Sequence, residues 1–174
     1  MNNLPSHHKF NELNLYNNIL SLSRNKLFYT KFALADTFQN RINLIFFHIS
    51  FIFIKVNKSK KKNDYKVFHQ KLFDTVFNQI EMNMRELGFG DVTVNKNMKF
   101  LFKFFYNILL FSEKFNEKNN EYKRTFFKEC LKCNISSKTA NYDNLIAYFR
   151  DFQTFCFDLS SDSVLKGEFK FKFN

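Results

Sequence analysis

From Ile42 to Ile54 the chain reads INLIFFHISFIFI, a run of about 13 residues without a charged side chain. A bilayer span needs roughly 20 such residues. The run therefore predicts a buried helix, or at most one that touches a membrane surface. It is apolar on all sides, His48 and Ser50 notwithstanding, and a helix without a polar face belongs in the middle of a bundle. The rest of the chain agrees. One proline, Pro5, and three glycines in 174 residues leave few of the turn signals that an all-β chain requires. The expected fold class is all-α: a single-domain helical bundle of about six or seven helices, with a short extended C-terminal tail. The expected division is an N-terminal helix and polar arm over 1–24, a helical core over 25–155 and a tail over 156–174.

Periodicity places the other helices. A first covers about Phe10 to Ser23, with Leu13, Tyr16, Ile19, Leu20 and Leu22 as its apolar side. A second runs from Lys26 to about Leu34. Asp36 or Thr37 is placed to cap the long apolar third. The fourth, about Tyr65 to Leu87, has the clearest stripe: Phe68, Leu72, Phe73, Val76, Phe77, Ile80, Met84 and Leu87 recur at three- and four-residue steps. Opposite them lie Asp74, Asn78, Glu81 and Arg85, with Glu81 and Arg85 spaced for an i,i+4 ion pair. The fifth, about Asn95 to Glu113, buries Met98, Leu101, Phe102, Phe105, Ile108 and Leu109, and carries Lys96, Lys99 and Lys103 on its other face. Further helices are expected at about Asn119 to Lys132 and Ser137 to Phe155. The closing EFKFKFN alternates with period two, which suits an extended tail or edge strand.

Between helices four and five stands LGFGD. Gly88 and Gly90 lack the third glycine of a dinucleotide fingerprint, and a helix precedes them where that motif needs a strand. Gly88 is read as the left-handed residue that stops helix four, Gly90 as a second sharp turn, and Asp91 or Thr93 as the cap of helix five. The stretch is a corner that folds the two helices into an antiparallel hairpin.

The formal net charge is +11, which favours partners with negative surfaces, or reflects no more than solubilising lysines. Lys55, Lys58, Lys60, Lys61, Lys62 and Lys66 form a basic patch after the third helix. Such a patch is a solvated loop, a site for anionic lipid or a site for ribosomal RNA phosphates. The 27 phenylalanines, with abundant Lys, Asn and Ile, have A/T-rich codons, so spacing carries more meaning here than composition. Three cysteines without well-spaced pairs argue for a reducing compartment, and MNNLPSHHKF has no secretory or mitochondrial leader character.

Enzymatic and metal chemistry finds little footing. Cys130-Leu-Lys-Cys133 lacks two further ligands, Cys156 stands alone, and His7, His8 and His69 have no companions at catalytic or metal spacing. His48, a lone histidine in the most apolar segment, reads as a hydrogen-bonded core residue. No metal, cofactor or small-molecule substrate is expected.

Two blocks resemble a known family. FDTVFNQIEMNMRELGFGDVTVNKNMKFLFKFFY, Phe73 to Tyr106, and LFYTKFALADTFQNRINLIFFHISFIF, Leu27 to Phe53, are similar to the signatures of the ubiquinol–cytochrome c chaperone family of alphaproteobacterial type. The matching positions include Asp36, Thr37, Phe38, Arg41 and His48, then Asp74, Arg85, Glu86, Gly88, Gly90, Asp91, Lys96 and Lys99. Gln79 departs from the family, which usually has an acidic residue there. The resemblance implies a non-catalytic, all-helical assembly chaperone that holds newly synthesised cytochrome b during biogenesis of respiratory complex III. It implies a location in the bacterial cytoplasm at the inner face of the membrane, or in the mitochondrial matrix if organellar. A small co-chaperone, the ribosome and an anionic membrane are implied as further partners. The partner-binding residues expected on this basis are Arg41, His48, Asp74, Glu81, Arg85, Glu86, Asp91, Lys96 and Lys99. The alternative from a different class is a basic helical protein that binds RNA or ribosomes without sequence preference.

Overall fold

The computed structural model describes residues 11–58, 62–134 and 142–173, and of 62–65 only the backbone. The bundle is all-α. Its helices are α1 (Glu12–Ser23), α2 (Lys26–Thr30), α3 (Phe38–Asn57), α4 (Lys62–Glu86), α5 (Asp91–Glu113), α6 (Asn120–Cys130), α7 (Tyr142–Asp158) and α8 (Ser161–Lys166). A 3-10 turn, Phe115–Glu117, follows α5. Short polar side chains open several of them. Asn11, Asn25, Thr37, Asn119 and Ser160 each accept a backbone N–H of the first turn, satisfying a donor with no partner inside the helix.

α3 is the axis. It touches α1, α4, α5 and α7, and its phenylalanines point in different directions into separate aromatic clusters. Phe46 meets Phe77 and Phe105 at ring separations of 5.5 and 5.2 Å. Phe47 meets Phe127 and Phe149, both at 5.1 Å, and Phe51 meets Phe115 at 5.5 Å. Each buried ring is worth about 1.5–3 kcal/mol relative to exposure.

The buried polar groups of α3 are partnered, as burial demands. Asn40 donates to the carbonyls of Ala35 and Lys132, each at 2.7 Å, and accepts the Lys132 N–H at 2.9 Å. Asn43 donates to the Cys130 carbonyl at 2.6 Å. These two amides hold the C-terminal end of α6 against α3. There the Leu34–Cys133 antiparallel bridge adds an extended contact. That bridge explains why α2 ends at Thr30 and not near Leu34: Ala33 adopts φ 57° and turns the chain into the pairing.

His48 is wholly buried. Its Nδ1 lies 2.6 Å from the Leu44 carbonyl, which only accepts, so Nδ1 carries the proton. Nε2 then accepts from the Tyr148 hydroxyl at 2.8 Å. This arrangement fits the neutral ring. Burial, the larger cause, pulls the pKa down to about 4, opposed by the Leu44 hydrogen bond.

Helix ends differ from expectation in instructive ways. Leu13, expected inside, is 54% exposed, while Leu15 is fully buried. α5 begins at Asp91, four residues before the expected Asn95, because Gly90 and not Asp91 or Thr93 is its N-cap. The expected start of α7 at Ser137 lies outside the described residues. α8 was not expected, and α7 continues past residue 155 to Asp158. Phe169, Phe171 and Phe173 pack on the core while Lys170 and Lys172 remain exposed. The period-two pattern is thus used by an extended strap, and no strand forms there.

Two glycines hold left-handed backbone. Gly88, φ +86°, ends α4: its N–H bonds the Arg85 carbonyl at 2.9 Å, and that of Phe89 reaches the Met84 carbonyl at 3.1 Å. This is the Schellman closure expected of that glycine. Gly167, φ +66°, ends α8, and a Cβ there would stand 2.6 Å from the Leu15 backbone nitrogen. Gly90 is ordinary, at φ −72° in open space, so the second sharp turn expected of it is absent.

Two predictions follow from these placements. Gly88→Ala should cost about 1 kcal/mol in chemical denaturation, from the left-handed backbone alone. Gly167→Ala should cost more because it also clashes, and Gly90→Ala should be close to neutral. The His48 ring is neutral in the folded state down to about pH 4 but protonates in the unfolded chain below its ordinary 6.5. The fold therefore loses stability as pH falls between those values. From pH 7.5 to 5 the loss should be about 2 kcal/mol larger for the wild type than for His48→Gln, read from urea midpoints and m-values at both pH values.

Candidate functional site

The α4–α5 hairpin is knit internally by aromatic rings. Phe73 lies 6.4 Å from Tyr106 and 5.7 Å from Phe102, and Phe77 lies 4.4 Å from Phe102. As one helix ascends the other descends, so the pair is antiparallel. With the rings inside, the polar stripe of α4 faces outward, as its spacing requires.

At the top of the hairpin Arg85 joins both helices. Its Nε and Nη2 donate to Glu81 Oε1 at 3.1 and 2.9 Å, and Nη1 donates to Asp91 Oδ1. Asp91 is thus an ion-pair partner in the first turn of α5, where a negative charge also meets the positive end of the helix dipole. The pairing holds the Arg85 pKa above its usual value, through the Asp91 hydrogen bond first and the Glu81 one second. Around this exposed triad stand apolar side chains that water would normally exclude: Leu87 is 62% exposed, Phe89 41% and Val92 84%. Met82 is exposed beside them in sequence. Exposed apolar side chains thus follow closely in sequence on the residues of the charged triad.

Asp74 lies further down α4, exposed, with Gln70 Nε2 at 2.8 Å from its Oδ1. Lys96 and Lys99 are exposed on the outer face of α5, close in sequence to Phe100, also exposed. Glu86 is exposed at the end of α4 and lines a groove described below. Asp74, Glu81, Arg85, Glu86, Asp91, Lys96 and Lys99 therefore all belong to one hairpin.

Arg41 and His48 lie elsewhere. Arg41, at the start of α3, forms a two-pronged pair with Asp36, at 2.7 and 2.8 Å. His48, grouped with the partner-facing residues by resemblance, offers no surface: its two nitrogens are taken by Leu44 and Tyr148 inside the core. A direct contact with another polypeptide is excluded by that burial.

The basic patch is smaller than expected among the described residues. Lys55 is half-buried, and its Nζ donates to the Phe157 carbonyl in the last turn of α7. The Lys58 Nζ stands 4.9 Å from the centre of the Phe157 ring. Both cations serve the end of α7, where a positive group complements the helix dipole. Lys66 is exposed. Lys60 and Lys61 lie outside the described residues, as does the side chain of Lys62.

The sequence reading missed a concave feature. Between α1, α3 and α4 runs a groove of about 230 Å³ with an apolar floor of Leu20, Phe38, Ile42, Ile45 and Ile80. Its rim carries Arg24, Arg41, Asn83 and Glu86, and Leu87 of the exposed corner forms part of its wall. A second hollow of about 260 Å³ adjoins it, lined by Arg24, Lys26, Tyr29, Thr30, Asp36 and Arg41. Arg24 and Arg41 line both. Only a tertiary contact between α1 and α4 creates this groove, so no local spacing signals it.

The thiols are quiet. Burial pushes the Cys130 thiol up to about 12 and raises that of Cys156. Cys133 is half-buried in the extended bridge, its Sγ 3.2 Å from the Tyr142 hydroxyl. The burial of Cys130 and Cys156 favours their protonated thiols over the thiolates that metal or redox chemistry uses. Among the described residues no cluster of His, Cys, Asp and Glu has the makings of a metal site. Among the same residues no helix is long and apolar enough to cross a membrane.

Comparison with known proteins places this geometry. Among solved structures the chain is similar to the Cbp3 homolog from Brucella abortus, with a TM-score of 0.76 and 21% identity over 92% of this chain and 88% of that one. That likeness bears on the fold. Comparison with curated proteins gives no match. The family model for ubiquinol-cytochrome C chaperone matches residues 30–171, from the end of α2 into the phenylalanine strap. The chain belongs to the ubiquinol-cytochrome C chaperone family.

Proposed function

We propose that this protein binds newly synthesised cytochrome b and supports assembly of ubiquinol–cytochrome c reductase through the α4–α5 hairpin, without catalysing a reaction. Family membership supports a complex III assembly chaperone. The observation that carries the finer reading is the corner: Leu87, Phe89 and Val92 stand exposed around the Arg85–Glu81–Asp91 triad. A membrane-protein client exposes apolar segments before assembly, and adaptable Phe, Leu and Met side chains can cover them. The ion-paired triad keeps the corner soluble and rigid between clients. Asp74, Lys96 and Lys99 extend the contact along the hairpin, and Arg41 with Glu86 extends it toward α3. A small co-chaperone, the ribosome and the anionic inner face of the cytoplasmic membrane complete the partners in this reading.

A second reading follows from charge. Lys96, Lys99 and Lys103 are all exposed on α5, and the whole chain carries +11, so RNA or ribosome binding without sequence preference is the alternative. Affinity purification after RNase treatment and high-salt washing separates the two. Retained cytochrome b supports the chaperone; recovery of ribosomal RNA alone, lost in salt, supports the alternative.

Deleting the protein should abolish growth that depends on complex III, and the wild-type chain should restore it. In that strain Arg85→Glu should weaken recovery of cytochrome b about tenfold. The same change should leave the circular dichroism spectrum intact, because the triad is exposed. Full complex III content with the variant would show that the corner is not the client surface.

A further inference from the structure

We infer that the groove between α1, α3 and α4 and the cationic hollow beside it form one docking cleft. Its occupant is a segment of a partner polypeptide in which bulky apolar side chains stand next to a carboxylate. The inference rests on the chaperone reading and names the chemistry of the client in a cleft to which the signature-matching Asp36, Phe38, Arg41 and Glu86 contribute alongside Arg24, Lys26 and Ile80.

The apolar groove holds about 230 Å³ and the adjoining hollow about 260 Å³, room for a few side chains of a polypeptide. Shape selects the kind of occupant first. The floor residues Ile42, Ile45 and Ile80 are only 3%, 4% and 1% exposed, so they are reached from within a concavity. A flat bilayer surface cannot follow them down, whereas a side chain projecting from a polypeptide can. Leu87 supplies continuity, since it is both a wall of the groove and part of the exposed apolar corner.

Charge selects the rest. The adjoining hollow contains three cations, Arg24, Lys26 and Arg41, against one carboxylate, Asp36. Arg41 is engaged by Asp36, but among the described residues neither Arg24 nor Lys26 has a carboxylate within 4.0 Å. A guanidinium at the edge of an apolar groove is suited to a two-pronged bond with an incoming carboxylate. Glu86 lines the apolar groove and not the hollow, so like-charge repulsion directs the client's acidic group toward Arg24. The cleft therefore has a polarity: apolar side chains toward Ile80, the carboxylate toward Arg24 and Lys26.

The test uses the full chain and three fluorescent 12-residue peptides containing Leu-Leu-Phe followed by Asp, Asn or Lys, titrated by fluorescence anisotropy. The Asp peptide should bind about tenfold more tightly than the Asn peptide, and the preference should shrink with salt. Arg24→Glu, at an exposed site, should invert the order in favour of the Lys peptide. Asn83→Trp, which fills the groove from α4, should weaken all three. Equal binding of the three peptides, indifference to Asn83→Trp, or Arg24-dependent binding to phosphatidylglycerol vesicles in place of peptide would each overturn the inference. Complex III content in a strain carrying Arg24→Glu is measured in parallel. If it stays high while deletion of the gene abolishes it, the cleft is wrong and the chaperone reading stands. If deletion has no effect, the chaperone reading itself fails.

Discussion

A helix with apolar side chains on every side has to be surrounded. α3 meets that demand with α1, α4, α5 and α7 about it, and the placement of the other elements is a response to its presence. What makes the arrangement specific, and not merely oily, is the handful of polar groups along it. Asn40 and Asn43 draw in the end of α6, and His48 fixes α7 through Tyr148. A buried amide or imidazole left without its partner costs more than the bond it makes is worth. Each of these groups thus excludes a family of misregistered packings that hydrophobic burial alone would tolerate.

Features with a local physical origin were readable in the chain. The stripe of α4 is a repeat of 3.6 residues and is buried as spaced from Phe68 to Met84, with Phe73 half-buried, but Leu87, expected to continue it, stands exposed beyond the helix end. Gly88 stops its helix in the conformation a glycine uniquely tolerates. The Glu81–Arg85 pair is a one-turn contact. Features that depend on another segment were not readable. Gly167 is required because α1 passes within touching distance, and nothing around residue 167 announces α1. Lys55 looked like one of a solvated run, but its ammonium turns to a carbonyl of α7. Asp91 has the right chemistry for a cap and is drawn instead to Arg85. His48 matches the family's signature, yet the core encloses it.

The candidate surfaces share a cause with the core. α4 supplies Ile80 to the groove floor and Arg85 to the corner, two turns of one helix facing different ways. Leu87, Phe89 and Val92 sit just past the end of α4 and in the first turn of α5, where they are exposed. In the proposed reading that exposure is kept for a partner. In the same proposed reading the neighbouring ion pairs, weak as stabilisers on a wet surface, set the direction in which a charged partner approaches.

The two ends of the described chain are stitched together. The Asn11 N–H bonds the Leu165 carbonyl at 3.1 Å, and Asn14 and Asn18 both donate to the Gly167 carbonyl. α1 packs against α3 and α4 as well as α8, so it is only this clasp that waits for residues made some 150 positions later. A hairpin such as α4–α5, built from near neighbours, closes early, whereas that clasp is among the slowest contacts to form. The hairpin is therefore complete before the two ends are fastened to each other.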